Sequence, residues 1–188
     1  MPEKNLVKNL GPLAPLVGVW EGAQGDDIAP SDDRGTENNK YRERMVFEPF
    51  GPQTNHEQIL YGLRYSTTAW RLGEPEPFHE DIGYWIWDVQ DKQITKTFVI
   101  PRGIAVLAGG TVEPDSKMFT IQASEGSRNY GFCHNLFLEK EFKIVGFKLT
   151  LNIPDSKSFS YEQTTTLKIK GRTDLFQHVD KNVLNRVK

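Results

Sequence analysis

The chain has 188 residues, of which 37% are hydrophobic and 26% charged, and its formal net charge is −2. This length suits one domain, and the composition excludes a protein that spans a membrane with helices. The near balance of 23 basic and 25 acidic residues disfavours a nucleic-acid binder, which normally carries a basic surplus. Cys133 is the sole cysteine, so the sequence excludes an internal disulfide and a cysteine-based zinc site. We expect a cytoplasmic protein, a monomer or homodimer, with a single domain over residues 1–188.

Most of the chain alternates between apolar and polar residues, which is typical of half-buried β-strands. Before this pattern begins, the apolar stretch 5–17 is interrupted by Pro12 and Pro15, which predicts a short helical plug. The alternation is clearest at 147–153 and 159–169. Further strands are predicted at 17–21, 41–48, 57–66, 83–89, 94–100, 104–108, 117–123, 136–142 and 180–187.

Hairpin-sized turns such as 90–92, 101–103 and 154–157 separate the predicted strands, which indicates an antiparallel meander. A sheet of about ten strands removes its edges by closing into a barrel, and a barrel of this width leaves room for a ligand. The sequence therefore predicts an all-β fold: a closed, antiparallel, up-and-down β-barrel of about ten strands, similar to lipocalins and fatty-acid-binding proteins. The polar stretch 22–40 is predicted to be a surface loop or a lid over the barrel mouth.

Sequence-local motifs assign no chemistry to the chain. Its histidines, His56, His79, His134 and His178, have none of the spacings that mark a local metal site. The glycine-rich stretch 103–110 lacks the spacing of a dinucleotide-binding fingerprint. Any function must therefore come from residues that the fold brings together.

Three stretches appear in an order that carries family information. A Gly-x-Trp-x-Gly stretch at 18–22 opens the first strand, where the tryptophan ring would close the end of a barrel. A His-x-acid-x-Gly-Tyr stretch at 79–84 begins a later strand, and the Gln-His pair at 177–178 precedes the last one. Over residues 10–187 this set resembles the nitrobindin family, haem-binding β-barrels that are also found as the C-terminal domain of some THAP-type proteins.

The resemblance implies one b-type haem per chain near the barrel mouth, with His178 as the axial ligand of the iron. It also implies that His79 lies close to the haem on the opposite side of the pocket, and that Thr36, in the loop after the first strand, lies near it. The family is credited with ferric haem that binds nitric oxide and isomerises peroxynitrite to nitrate. The resemblance leaves open whether this chain is a peroxynitrite isomerase or a binding protein.

One stretch departs from the family pattern. The segment that usually reads Ser/Asn-Thr-Gly is Pro-Arg-Gly at 101–103, which places the guanidinium of Arg102 near the pocket. That cation would pair with a haem propionate or a ligand carboxylate, or it would lie in solvent as an ordinary hairpin residue.

Two other functions stay open. The chain could carry a fatty acid or a similar amphiphile in the barrel lumen, with Arg102 and either Arg64 or Arg128 binding the carboxylate. It could also be a metal-free enzyme in which His79 acts with a neighbouring acid, Glu80 or Asp81.

Overall fold

A computed structural model describes residues 6–187, and β-strands account for most of them. A 3-10 helix spans Gly11–Leu16, before the first strand, and the α-helix α1 spans Leu136–Glu141. The strands are β1 (Gly18–Ala29), β2 (Glu37–Asn55), β3 (Gln58–Arg71), β4 (His79–Asp88), β5 (Gln93–Ile100), β6 (Ile104–Thr111), β7 (Met118–Ser124), β8 (Gly131–His134), β9 (Phe142–Asn152), β10 (Ser158–Ile169) and β11 (Phe176–Arg186).

These strands form one closed antiparallel barrel. Each strand from β1 to β6 pairs with its successor, β7 pairs next with β9, and β9, β10 and β11 follow in order. The pairing of β11 with β1 closes the sheet on itself. The short strand β8 pairs with β6 beside this ring, so the barrel proper has ten strands. The predicted up-and-down barrel is confirmed.

The plug closes one end of the barrel. Leu10, Leu13 and Leu16 are fully buried, as is Trp20 at the start of β1. The indole Nε1 of Trp20 donates a hydrogen bond of 2.6 Å to the carbonyl of Leu16, which fixes the ring against the 3-10 helix. Arg186 at the end of β11 lies 4.3 Å from the Trp20 ring. The predicted helical plug is therefore confirmed over the described residues.

At the opposite end, which we call the mouth, β1 ends while β2 and β11 begin. The inward-facing side chains change from apolar to polar as the strands approach it, and Asp27, Glu43, Asp81 and Asn182 are buried there. Among residues 6–187, no helix has the length and apolar character that a bilayer crossing requires.

A bulge in β1 decides which residues face the mouth. Trp20 and Asp27 both face inward although they are seven positions apart, an odd offset that places two residues of a regular strand on opposite faces. Between Gly22 and Gly25 the pairing of β1 with β2 shifts by one residue, and the shift restores the inward direction at Asp27. A Cβ at Gly25 would lie 2.6 Å from the ring of Tyr41, so glycine is needed where that ring packs.

Three sequence predictions at this end of the barrel were wrong. The stretch 22–40 is largely strand, because β1 reaches Ala29 and β2 begins at Glu37, which leaves a short connection at 30–36. The predicted strand at 136–142 is the helix α1, whose first turn is capped by Asn135: its Oδ1 accepts the Leu138 N–H at 2.9 Å.

The third concerns the last strand. It begins at Phe176 rather than at residue 180, so Gln177 and His178 lie within β11 and not in a loop before it.

Candidate functional site at the barrel mouth

His178 faces the barrel interior from β11 and contacts two carboxylates. Its Nε2 lies 2.9 Å from Oδ1 of Asp27 on β1 and 3.5 Å from Oδ1 of Asp180, two residues further along β11. Asp27 and Asp180 are directly opposite each other in the pairing of β1 with β11. Two negative charges opposite each other repel and destabilise the strand pairing. The imidazole between the carboxylates offsets this repulsion.

The electrostatics of this group favour a protonated imidazole. Burial alone would lower the pKa of His178, but the hydrogen bonds and negative charges of Asp180 and Asp27 outweigh burial and raise this pKa to about 10. The pKa of Asp180 falls below its usual value, because its contacts with the imidazolium outweigh the burial that would raise it.

The second oxygen of each carboxylate is held by an amide. Asn39 on β2 donates from Nδ2 to Oδ2 of Asp27 at 3.2 Å, and Gln163 on β10 donates from Nε2 to Oδ2 of Asp180 at 3.4 Å. Four neighbouring strands thus fix the orientation of the two carboxylates toward His178. The ligand atoms of Asp27, His178 and Asp180 all lie within 4.8 Å of one another.

His79 forms a second imidazole–carboxylate pair on β4. Its Nε2 lies 3.2 Å from Oδ2 of Asp81, the next inward-facing residue. Burial would lower the pKa of His79, but the hydrogen bond and charge of Asp81 exceed that effect and raise it. Although His79 and His178 face inward, their side chains keep 33% and 30% of their surface exposed. The barrel is therefore open at the mouth.

A buried lysine lies below these pairs. The Nζ of Lys96 is 4.2 Å from the ring centre of Phe98 and 5.0 Å from that of Tyr65. Burial lowers the pKa of Lys96, and the charges of Asp81 and Glu43 act against this. The aromatic rings supply part of the stabilisation that water gives an exposed ammonium.

A second apolar cluster, which we call the apolar wall, packs at the mouth end of the barrel beside the charged groups. It joins a buried cluster on β9, β10 and β11 to partly buried side chains from β6, β8 and β9. Its members are Ile144, Leu167, Ile169, Phe176, Ile104, Phe132 and Phe142.

Two arginines tie the 30–36 connection to the rim of the mouth. Arg34 donates to the carbonyl of Lys170 and to Oε2 of Glu141, both at 2.8 Å. Arg172 donates back to the carbonyl of Arg34 at 3.0 Å. Both cations therefore bind backbone from the opposite segment, which holds the connection in place.

The fold places the side chains of His178 and His79 inside the mouth, whereas the other residues named from the sequence lie on its rim or outside the barrel. Thr36 is exposed in the 30–36 connection, just before β2. Arg102 is exposed in the turn between β5 and β6, on the rim of the mouth. Arg64 lies outside the barrel near Glu48, because its neighbour Tyr65 faces inward, so Arg64 cannot bind a ligand in the lumen.

Sequence reasoning missed Asp27, Asp180, Asn39 and Gln163. Local spacing could not have found Asp27, because it lies 151 residues from His178 in the chain. Asp180 offered a signal: it lies two residues from His178, the distance that places both side chains on one face of a strand. Glu80, offered with Asp81 as a partner of His79, is exposed on the outer face, and Asp81 is the residue that pairs.

Comparison with known proteins identifies the family. Residues 9–186 match a protein family that is described as "THAP4-like, heme-binding beta-barrel domain". The chain belongs to this family. Among solved structures, the THAP4-like barrel of this chain is similar to Rv2717c from M. tuberculosis, with 19% identity, a TM-score of 0.67, and coverage of 96% of this chain and 98% of that one.

A second solved structure and the curated sequences add little to this comparison. A β-barrel-like protein with a domain of unknown function, DUF1849, from Brucella abortus aligns with 90% of the THAP4-like chain and 97% of its own, at 11% identity and a TM-score of 0.27. No curated protein sequence shows significant similarity.

The residues of this THAP4-like barrel fit a haem group. An open mouth with an apolar wall suits a flat, mostly apolar macrocycle, and His178 and His79 supply imidazoles that face it. His178 is suited to bind iron once its Nε2 has left Asp27 and Asp180 and lost its proton, since iron binds the neutral imidazole.

Proposed function

We propose that this chain binds one b-type haem in the barrel mouth, where His178 would hold the iron. The observation that carries the proposal is the inward direction of His178 at an open, apolar-walled mouth, where its side chain keeps 30% of its surface exposed. Membership of a family described as heme-binding supports the same conclusion.

Each part of the mouth has a role in this proposal. The apolar wall, with Phe176 and Leu167 in it, excludes water from the faces of the macrocycle. His79 provides a polar group on the opposite side of the pocket, and Thr36 approaches from the 30–36 connection. Arg102, exposed on the rim, pairs with a propionate. When bound, the haem supplies an iron site whose reactivity depends on the polarity around it.

The small-molecule partners that we propose are nitric oxide and peroxynitrite, the latter isomerised to nitrate. His79 is the group that we assign beside the bound ligand. Its pairing with Asp81 favours the charged imidazolium, which attracts an anion such as peroxynitrite.

A fatty-acid carrier is the weaker candidate. The inward face near the mouth carries the charged side chains of Asp27, Asp81 and Asp180, which the alkyl chain of a fatty acid would have to cover at a cost in desolvation. An amphiphile would have to keep its carboxylate at the rim, where Arg102 is exposed.

A haem titration monitored at the Soret band tests the proposal. We expect the wild type to bind one equivalent, and His178→Ala to lose the band or shift it strongly. His56→Ala is the matched control, because His56 lies in an exposed turn at the plug end. Haem binding by His178→Ala with an unchanged spectrum would remove His178 from the iron, and a wild type that takes up no haem would refute the proposed function.

A further inference from the structure

We infer that Asp27, His178 and Asp180 form a binding site for one divalent transition-metal ion in the haem-free protein. The ion would lie among the inward-facing ligand atoms of the three side chains. It would replace the proton that now lies between the imidazole and the carboxylates. This inference does not depend on the proposed haem binding, although both use the Nε2 of His178.

The distances from the His178 nitrogen to the two carboxylate oxygens match those between ligands of a single ion, and all three donor atoms lie within 4.8 Å of one another. Two ligands that each lie about 2.1 Å from one metal ion, at angles of about 90–110°, are about 3.0–3.4 Å apart. The Nε2 of His178 lies 2.9 Å from Oδ1 of Asp27 and 3.5 Å from Oδ1 of Asp180. The three side chains can therefore share an ion with only small movements.

The donor set and its charge also suit such an ion. One imidazole and two carboxylates are ligands of intermediate hardness, a combination that binds Zn²⁺, Co²⁺ and related divalent ions. With the imidazole neutral, the two negative charges of Asp27 and Asp180 balance a dication. This balance removes the repulsion between carboxylates that face each other across β1 and β11.

The carboxylates are positioned by partners outside the proposed site. Asn39 and Gln163 bind the outer oxygens, Oδ2 of Asp27 and Oδ2 of Asp180, and leave both Oδ1 atoms directed at His178. Outer hydrogen bonds of this kind orient the ligands of protein metal sites. Asp27 is 3% exposed, which limits competition from water, while the exposed part of His178 gives the ion access from the mouth.

The His79–Asp81 pair provides an internal comparison. It has the same two ligand types at a similar distance, 3.2 Å, but no third donor joins it in the metal-ligand group found among residues 6–187. The inference therefore assigns the ion to the His178 group and none to His79.

A titration of the haem-free protein with Co²⁺ tests the site, since coordinated Co²⁺ absorbs in the visible range. We expect one equivalent to bind, and Zn²⁺ to displace it. Asp27→Asn and Asp180→Asn should each abolish the absorption. Asp26→Asn is the matched control: Asp26 is the adjacent residue on the outer face, paired with Lys40, and its loss should leave the Co²⁺ affinity unchanged.

A second variant keeps the test decisive if an Asp27 or Asp180 variant fails to fold. Asn39→Ala leaves all three ligands in place and should weaken Co²⁺ binding by about 10–100-fold. In imidazole ¹⁵N spectra with Zn²⁺, the His178 signals should move and those of His79 should stay.

Absence of stoichiometric Co²⁺ binding by the wild type would overturn the inference, as would unchanged affinity in a folded Asp27→Asn protein. The haem titration gives an independent result: metal binding without haem binding refutes only the proposed function, and the reverse refutes only this site. If both ligands bind, Zn²⁺ should compete with haem, because both need the same nitrogen of His178.

Discussion

His178 on the last strand and Asp27 on the first strand are joined by a hydrogen bond of 2.9 Å between Nε2 and Oδ1. In the ligand-free protein this contact, with the charge of Asp180, keeps the imidazole protonated. We expect an NMR titration of the haem-free and metal-free protein to give His178 a pKa of about 10. Asp27→Asn should lower this value, and a His178 that titrates normally, near pH 6.5, would contradict the described contact.

Glu43 should make the protein less stable as the pH rises. Burial raises its pKa to about 7, although hydrogen bonds from Asn182 and Tyr161 act in the opposite direction. Because this folded-state pKa lies above the unfolded value of about 4.5, the free energy of unfolding should fall between about pH 4.5 and 7, by at most about 1.4 kcal/mol per pH unit.

Glu43→Gln keeps an oxygen acceptor but cannot ionise. Urea unfolding at several pH values measures the effect. The free energy of unfolding of this variant should not show the decrease that ionisation of Glu43 causes, so the variant should be more stable than the wild type above pH 7. A constant difference between the two proteins from pH 4.5 to 8 would show that Glu43 has an ordinary pKa.

Arg186 should stabilise the closed end of the barrel. Its guanidinium donates to the carbonyls of Pro15 and Val17 and packs on the ring of Trp20, so it joins the plug to the last strand. We expect Arg186→Ala to lower the free energy of unfolding by about 2 kcal/mol, since charged hydrogen bonds and the packed stem are lost together. Guanidinium unfolding measures this change. For comparison, Arg42→Ala removes only the contact between an arginine and the ring of Trp70, so it should lower the free energy of unfolding by less.

Arg172 should limit the opening of the 30–36 connection. Removing its hydrogen bond to the carbonyl of Arg34 in Arg172→Ala should raise local amide exchange by about 5–10-fold, the effect of a hydrogen bond of about 1 kcal/mol. Hydrogen exchange read by mass spectrometry measures the change. Peptides from β3 to β5 serve as the internal control, and equal exchange over 30–36 in the two proteins would show that Arg172 does not restrain it.

The barrel was predictable from the sequence wherever one face of a strand is apolar. The runs 147–153 and 159–169 indicate strands, because inward-facing leucine, isoleucine and phenylalanine alternate with polar residues. The same rule failed near the mouth. There the inward positions are Asp27, His178 and Asp180, while Ile28 and Val179 lie on the outer face, so apolar residues no longer mark the inward face although the strands continue.

The family resemblance named both histidines of the site, and the sequence offered Asp81 as a partner of His79, but the partners of His178 were missed. The side chain of Asp27 faces inward only because the bulge at 22–25 adds one residue to β1. The sequence contains that extra residue, but its structural effect depends on where β1 pairs with β2. The helix at 136–141 is a simpler case: its apolar residues also fit a strand, and the decisive signal is the capping Asn135.

The position of Asp27 and His178 on the pairing of β1 with β11 has a consequence for how the protein matures. The two residues are 151 positions apart, and the strands that carry them are the pair that closes the ring. During synthesis β1 cannot form its pairing with β11 until β11 has left the ribosome. The mouth can therefore acquire its ligand only after every other strand has been made. A bound ligand that bridges or covers this closure would then hold the finished barrel shut, and it would stabilise the folded state by an amount that rises with the logarithm of its affinity.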